Sequence, residues 1–220
     1  MFTGPHLVTD GLVLCLDAAD PLSYPGSGTT WRDLSGNENN GTLTNGPTFD
    51  SANGGIIDFD GQNDRVSLGY QPTMNNTDIT QEAWVKADVF VNWHGIISNM
   101  PSWGTGFSLQ IGTTQNIAAM VSGGYLRTSW TPQTNIWYHI VATHRSSDNL
   151  AVLYVNGIQE NSLNRAVSYS PNAVTEIGVF YTGGSLPLNG KIASVKTYNK
   201  ALTAQEVLQN YNATKTRFGL

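Results

Sequence analysis

The segment Gly190-Lys191-Ile192-Ala193-Ser194-Val195-Lys196-Thr197-Tyr198 extends through a polar corner at Asn199-Lys200 and Ala201-Leu202 into Thr203-Ala204-Gln205-Glu206-Val207-Leu208. Thr203 and Glu206 stand at the spacing of a helix capping box. Ala204, Val207, Leu208 and Tyr211 then fall on one helical face. The rest of the chain alternates short apolar runs with turn residues. The junction therefore predicts a closing device, in which a last long strand completes a sheet and one short helix covers it.

The upstream pattern agrees with an all-β chain. Leu12 to Leu16 is a continuous apolar run between Gly11 and Asp17, as expected of a strand buried on both faces. Residues 18–40 form a long loop with Pro21, Pro25, Gly26 and Gly28. Tyr24, Trp31 and Leu34 are its expected anchors, with Trp31 plugging the core edge. Short strands are expected near 41–43, 55–60 and 64–68. Ile79 to Asp88 alternates, placing Glu82, Trp84 and Lys86 on one side and Ile79, Ala83 and Val85 on the other.

A meander at 95–99, 107–111, 117–121 and 125–130 follows. Two long strands, 136–145 and 150–156, lead to Asn156-Gly157, a dipeptide suited to the positive φ values of a hairpin turn. Strands at 174–181 and 192–198 complete the pattern. The expectation is an antiparallel two-sheet β-sandwich spanning residues 1–212, with 213–220 as a mobile tail or docking peptide. A length of 220 residues suits one large sandwich of this class.

The closing stretch resembles that of laminin-G-like, concanavalin-A-like jelly rolls of the lectin-glucanase type. Asp10-Gly11-Leu12-Val13-Leu14-Cys15-Leu16-Asp17-Ala18, Phe59-Asp60-Gly61 with Asp64 and Val66, and Glu82-Ala83-Trp84-Val85-Lys86 fit the same pattern. So do Trp137-Tyr138-His139-Ile140-Val141-Ala142-Thr143 and Leu153-Tyr154-Val155-Asn156-Gly157. The resemblance covers nearly the whole chain and implies a jelly-roll fold. The turns at 23–31 and 210–220 resemble versions of this fold in virion proteins of aquatic bacteriophages. That likeness implies a structural role in capsid decoration, a fibre or a tail, with other virion proteins or further copies of the chain as partners; the alternative is a dedicated carbohydrate-binding lectin module, with a glycoside hydrolase third. Arg217-Phe218-Gly219-Leu220 is then expected to dock on a neighbouring subunit.

Composition narrows the partners. The net charge is −5 and no basic run is present to replace phosphate counterions, which argues against nucleic acid. No stretch approaches the ~18 apolar residues of a membrane span, and the N-terminus lacks the features of a signal peptide. A soluble product without a secretion address is expected, reaching the outside in a virion. The Asn-x-Thr sequons at Asn40, Asn75 and Asn212 are expected to stay unmodified. The one cysteine, Cys15, lies in an apolar run and reads as a buried thiol.

Catalytic motifs are absent from the sequence. Retaining glucanases of this fold present carboxylates at Glu-x-Asp-x-Glu spacing on one strand, a spacing that occurs nowhere here. Glu82 has Thr80 and Trp84 as its same-side neighbours and reads as structural. His6, His94, His139 and His144 show no metal spacing. His139 occupies a Trp-x-His strand position common to the resembling family, which implies a satisfied histidine within the sheet. A non-catalytic chain is expected.

Two binding features stand out. Asp58 and Asp60 share a strand face, and the Gly61 turn can return Asp64 or Asn63 toward them, a set of oxygens suited to Ca²⁺. Against this, the resembling domains often place an acid where Ala193 stands, a departure that removes one plausible ligand. Sugar binding calls for ring faces beside polar groups on loops. Asn92-Trp93-His94 and Met100-Pro101-Ser102-Trp103-Gly104 supply such loops, with Tyr125, Trp130 and Tyr181 on adjacent turns. Trp93, His94, Trp103, Tyr125 and Tyr181 are the expected carbohydrate-binding residues, for surface glycans held weakly at each site.

Overall fold

The computed structural model describes residues 5–70, 78–90, 93–112, 115–170, 173–181 and 185–220. The sequon at Asn75 and the predicted loop residue Asn92 lie outside them. The first strands are β1 (Leu12–Asp17), β2 (Thr30–Trp31), β3 (Gly41–Thr44), β4 (Thr48–Asp50), β5 (Ile56–Asp60) and β6 (Arg65–Tyr70). There follow β7 (Ile79–Ala87), β8 (Gly95–Ser98), β9 (Phe107–Ile111), β10 (Ile117–Val121), β11 (Gly124–Arg127) and β12 (Trp137–Arg145). The last are β13 (Leu150–Val155), β14 (Ile158–Asn164), β15 (Val174–Ile177), β16 (Val179–Tyr181), β17 (Ser185–Pro187) and β18 (Asn189–Tyr198), before helix α1 (Ala204–Thr214).

Two antiparallel sheets form a sandwich. The first has the order β14-β13-β12-β7-β18-β5-β4, with β1 also paired to β18; the second runs β11-β10-β9-β8-β15-β6-β3-β2. β16 and β17 form a separate two-stranded antiparallel sheet. Strand β18 justifies its predicted closing role: along one side it pairs with β7, and along the other it meets β5 in its first half and β1 in its second. The core between the sheets takes Ile79, Ala83, Val85 and Ala87 from β7, Phe107, Leu109 and Ile111 from β9, and Ile117, Ala119 and Val121 from β10. These are alternate positions, as the pleat requires. Trp31 plugs this core at 0% exposure, and Tyr24 is buried beside it. Leu34 is exposed, because the side chain organising its turn is Asp33, which accepts from Cys15 N, Ser35 N and Asn39 N.

Helix α1 covers the outer face of the first sheet. The capping box is formed: Glu206 N donates to Thr203 Oγ1 and Thr203 N donates to Glu206 Oε2. The buried helix residues are Val207 and Asn210, while Leu208, assigned to that face by the sequence pattern, is exposed. Asn210 Nδ2 donates to Glu82 Oε2 at 2.7 Å and Tyr198 Oη at 2.9 Å, and its Oδ1 accepts from Val8 N at 2.9 Å. A polar side chain therefore centres the interface with its hydrogen bonds made.

The stretch 213–220 differs from its expected role as a tail. The helix runs on to Thr214 and a 3-10 turn follows over Lys215–Phe218. Phe218 is buried, stacking on Trp84 at 4.1 Å between ring centroids and lying 4.8 Å from Trp137. Arg217 Nη1 meets Asp17 Oδ1 at 2.7 Å, Nε donates to Asn53 O, and Nη2 donates to Gly55 O. Of the residues expected to dock on a neighbour, Arg217 and Phe218 dock on their own chain, because the helix delivers an aromatic ring to a waiting pair of tryptophans, while Leu220 stays exposed.

Candidate carbohydrate-binding site

The predicted aromatic residues meet on the outer face of the second sheet. Register places Ser98 beside Ser108, Ser108 beside Met120, and Met120 beside Tyr125 across β8, β9, β10 and β11. Their alternates Leu109, Ala119 and Leu126 enter the core. On this face Trp93, Trp103 and Tyr125 form a triangle of edge-on contacts, with centroids 5.1 Å apart for Trp93–Trp103, 5.4 Å for Trp93–Tyr125 and 5.3 Å for Trp103–Tyr125. Phe180 lies 5.6 Å from Trp93 and 4.4 Å from Tyr181. Met100, Met120 and Phe180 are the buried floor of the cluster.

The rings are unevenly exposed. Trp103 shows 46% of its surface, whereas Trp93, Tyr125 and Tyr181 are half-buried. Trp93 adopts φ 72°. The left-handed region is unfavourable for a bulky residue, and such positions cost about 1–3 kcal/mol, sustained by surrounding structure. Here Trp93 N donates to Ile111 O, and Ile111 N donates to the carbonyl of His94 at 2.8 Å. Strand β9 thus holds the strained residue in place. Close approach at Gly95 adds to the restraint, since a Cβ there would lie 1.9 Å from the Val179 carbonyl carbon.

Polar atoms line the same face. Ser108 Oγ, both amide atoms of Gln110, Tyr125 Oη and His94 Nδ1 are buried without a well-formed hydrogen bond among the described residues, although the Gln110 amide stands near enough to Tyr125 Oη to favour its ionised form. Burial pushes the Tyr125 hydroxyl well up, Tyr181 adds to the rise, and neighbouring Gln110 and Arg127 offset part of it. Burial holds His94 below the ordinary imidazole value. Trp93, Trp103, Tyr125 and Tyr181 are therefore brought together. His94 follows Trp93 with its ring nitrogen unpaired. Trp130 stands elsewhere, donating from Nε1 to Glu160 Oε2 at 2.8 Å and packing on Tyr138. Gln110, Ser108 and Phe180 were missed, although the alternation Phe107-Ser108-Leu109-Gln110-Ile111 marks the first two as facing away from the core.

The acidic set lies on the other sheet. Asp58, Asp60 and Asp64 line a cavity of about 380 Å³ with Asn45, Thr48, Asp88 and Asn189. Lys191 reaches across it, 2.7 Å from Asp88 Oδ2 and 3.3 Å from Asp58 Oδ2. Asp64 Oδ2 accepts from Asp60 N, while its Oδ1 has no partner among the described residues. Among those residues no three acidic, histidine or cysteine side chains are arranged to hold a metal ion. The cation the structure places there is the Lys191 ammonium.

Glu82 faces the helix-covered side of the first sheet at 0% exposure. Lys196 Nζ lies 2.9 Å from its Oε1, and His139 Nε2 is 3.2 Å from the same oxygen without hydrogen-bond geometry. Burial alone would raise the Glu82 carboxyl, but Lys196 and then His139 hold it far below its usual range. Burial pushes the Cys15 thiol up to about 11, the inert state expected of it.

A family model described as the concanavalin A-like lectin/glucanases superfamily matches residues 60–208. The chain belongs to this superfamily. Among solved structures, this superfamily member is similar to domain 4 of AbnA, a GH43 extracellular arabinanase from Geobacillus stearothermophilus in complex with arabinotriose. The two share 19% identity over 91% of this chain and 98% of that one, with a TM-score of 0.71. It is also similar to the binding domain of Paraclostridial Mosquitocidal Protein 1, at 21% identity over 93% of this chain and 52% of that one, TM-score 0.71. Trypanosoma rangeli sialidase in complex with the inhibitor DANA matches at 15% identity over 96% of this chain and 34% of that one, TM-score 0.72. At these identities the likeness shows the fold. A search of curated proteins returns no match. Among the described residues no helix is long and apolar enough to cross a membrane.

Proposed function

We propose that the chain is a non-catalytic carbohydrate-binding domain whose site is the aromatic cluster of Trp93, Trp103, Tyr125 and Tyr181. The observation that carries this reading is the strained Trp93, held at φ 72° against an exposed Trp103. Sugar C–H faces pack on such rings, and the half-buried rings beside Trp103 extend the platform. Domain 4 of the arabinanase, bound to arabinotriose, makes a saccharide a reasonable first class of ligand.

Absence of catalysis is part of the reading. Glu82 is sealed under α1 with Lys196, away from any substrate, and Glu176 on the second sheet lies 3.2 Å from Arg65. The aspartate cavity lies on the other sheet from the aromatic cluster, so this reading gives calcium at Asp58, Asp60 and Asp64 no direct part in the binding step. The virion setting expected from the sequence enters only through copy number, because weak sites gain avidity when many are displayed together. None of the three relatives named above is a virion protein.

The test is a glycan array probed with multivalently displayed protein, in calcium and again in chelator. Saturable binding that survives chelation and disappears in Trp103→Ala is the expected result. Binding that Trp103→Ala leaves intact would remove this site from the proposal, and release of sugar from any ligand would restore an enzyme.

A further inference from the structure

Beside the aromatic triangle stands a guanidinium that the proposed sugar-binding reading does not use. Arg165 is exposed and forms no ion pair among the described residues. Its Nε donates to Ser122 O at 2.9 Å, which fixes the plane of the group and leaves both Nη atoms uncommitted to that bond. The stem lies along the bare backbone of Gly123 and Gly124. A Cβ at Gly124 would stand 2.5 Å from Arg165 Cδ, and one at Gly123 would stand 3.5 Å from Nη2. That same point at Gly123 is 3.5 Å from the Trp103 carbonyl oxygen and 3.6 Å from Trp103 Nε1. The guanidinium and the exposed indole therefore flank one position on the sheet edge.

The support beneath them is firm. Ser122 N donates to Gly106 O at 3.0 Å, and Ser168 N donates to Ser122 Oγ at 2.8 Å, tying the turn to the segment that carries Arg165. Two residues beyond Gly123 comes Tyr125, and two further on comes Arg127, also exposed. Tyr125 thus lies between Gly123, beside which the Arg165 guanidinium sits, and Arg127. The neighbouring groups that shift its hydroxyl are Tyr181, Gln110 and Arg127, with no carboxylate among them.

We propose that the saccharide bound at this site carries an anionic group, a carboxylate or a sulfate, and that Arg165 receives it while the sugar ring packs on Trp103. This rests on the sugar-binding reading and deepens it. A guanidinium presents parallel N–H donors that match a carboxylate or a sulfate, which a neutral hydroxyl cannot exploit in the same way. The net charge of −5 repels anions at a distance. Discrimination must then come from local contact, within the roughly 8 Å over which charge acts at physiological salt.

The experiment uses the full chain in multivalent form against matched pairs: glucuronate-terminated against glucose-terminated oligosaccharides, and sulfated against unsulfated galactose-terminated ones. The expected result is at least a tenfold preference for the charged member of one pair. Arg165→Gln should reduce that preference to about twofold with an unchanged thermal midpoint, and Arg165→Lys should keep part of it. The pair that shows the preference identifies carboxylate or sulfate as the group. Equal binding of charged and neutral members, or a preference that survives in Arg165→Gln, overturns the assignment and leaves the sugar-binding reading standing. Failure to bind any saccharide overturns both.

Discussion

Lys196 Nζ and Glu82 Oε1 lie 2.9 Å apart with their side chains 2% and 1% exposed, beneath a helix that supplies Asn210 to the second carboxylate oxygen. Removing one partner of such a pair leaves a buried charge uncompensated and costs about 3–5 kcal/mol, whereas replacing both by apolar groups is often neutral. Glu82→Gln is therefore expected to destabilise the fold by that amount at pH 7. The folded Glu82 carboxyl titrates far below its ordinary 4.5. Its stabilising contribution is full above that value and declines as pH falls below it. Urea unfolding at pH 7 and pH 3 should show the gap between wild type and Glu82→Gln narrowing in acid. A constant gap would deny the ion pair its role.

Tyr125→Phe separates stability from binding. The hydroxyl is buried with the Gln110 amide as its nearest polar neighbour and no well-formed hydrogen bond to it, while the ring packs on Trp93 and Trp103. An unsatisfied buried hydroxyl costs about 1–3 kcal/mol. The variant should melt at least as high as wild type and bind glycan equally well, because the hydroxyl is closed off from the ligand and the ring that packs on Trp93 and Trp103 is kept. A lower melting temperature would mean the hydroxyl is satisfied in the free protein.

Asp64→Asn addresses the aspartate cavity. Burial raises the Asp64 carboxyl above its ordinary 3.8, the Asp60 N–H offsets part of this, and Asp60 and Asp58 add to the rise. For an acid shifted in this direction, the charged form works against folding at neutral pH, and stability is recovered as pH falls through the raised value toward 3.8. Asparagine retains an acceptor for Asp60 N without the charge. In chelator at pH 7 the variant should be the more thermostable protein, with the difference shrinking toward pH 4. Loss of stability at pH 7 would show that the charge itself is needed.

How far the sequence carried these features depended on the range of the interactions. Strand β7 was legible because alternation is local: Ile79, Ala83 and Val85 face the core and Glu82 and Trp84 face the helix, as the pleat dictates. The capping box at Thr203 and Glu206 was legible for the same reason. Four of the five predicted sugar-site residues share one cluster, since Gly- and Pro-rich turns bring their rings to the surface. Lys191 within the aspartate cavity was invisible, because strand order in the sheet brings it to Asp58 and Asp88. Arg217 and Phe218 failed similarly: their partners Asp17, Asn53, Trp84 and Trp137 are far away in the chain, and no local period announces them.

Phe218 supplies the last prediction. Its ring stacks on Trp84 and lies against Trp137, and Trp84 Nε1 donates to Thr214 Oγ1 at 2.9 Å, so helix, turn and sheet close as one unit. Truncating a buried phenylalanine to alanine costs about 3–5 kcal/mol. Phe218→Ala should therefore lose stability of that order, and deletion of residues 217–220 should lose more, because Arg217 also leaves Asp17 and the carbonyls of Asn53 and Gly55. Both losses should appear in dilute protein and be independent of concentration, since the contacts lie within one chain. A stability deficit that vanished at high concentration, or a deletion without effect on unfolding, would return the segment to contacts between chains.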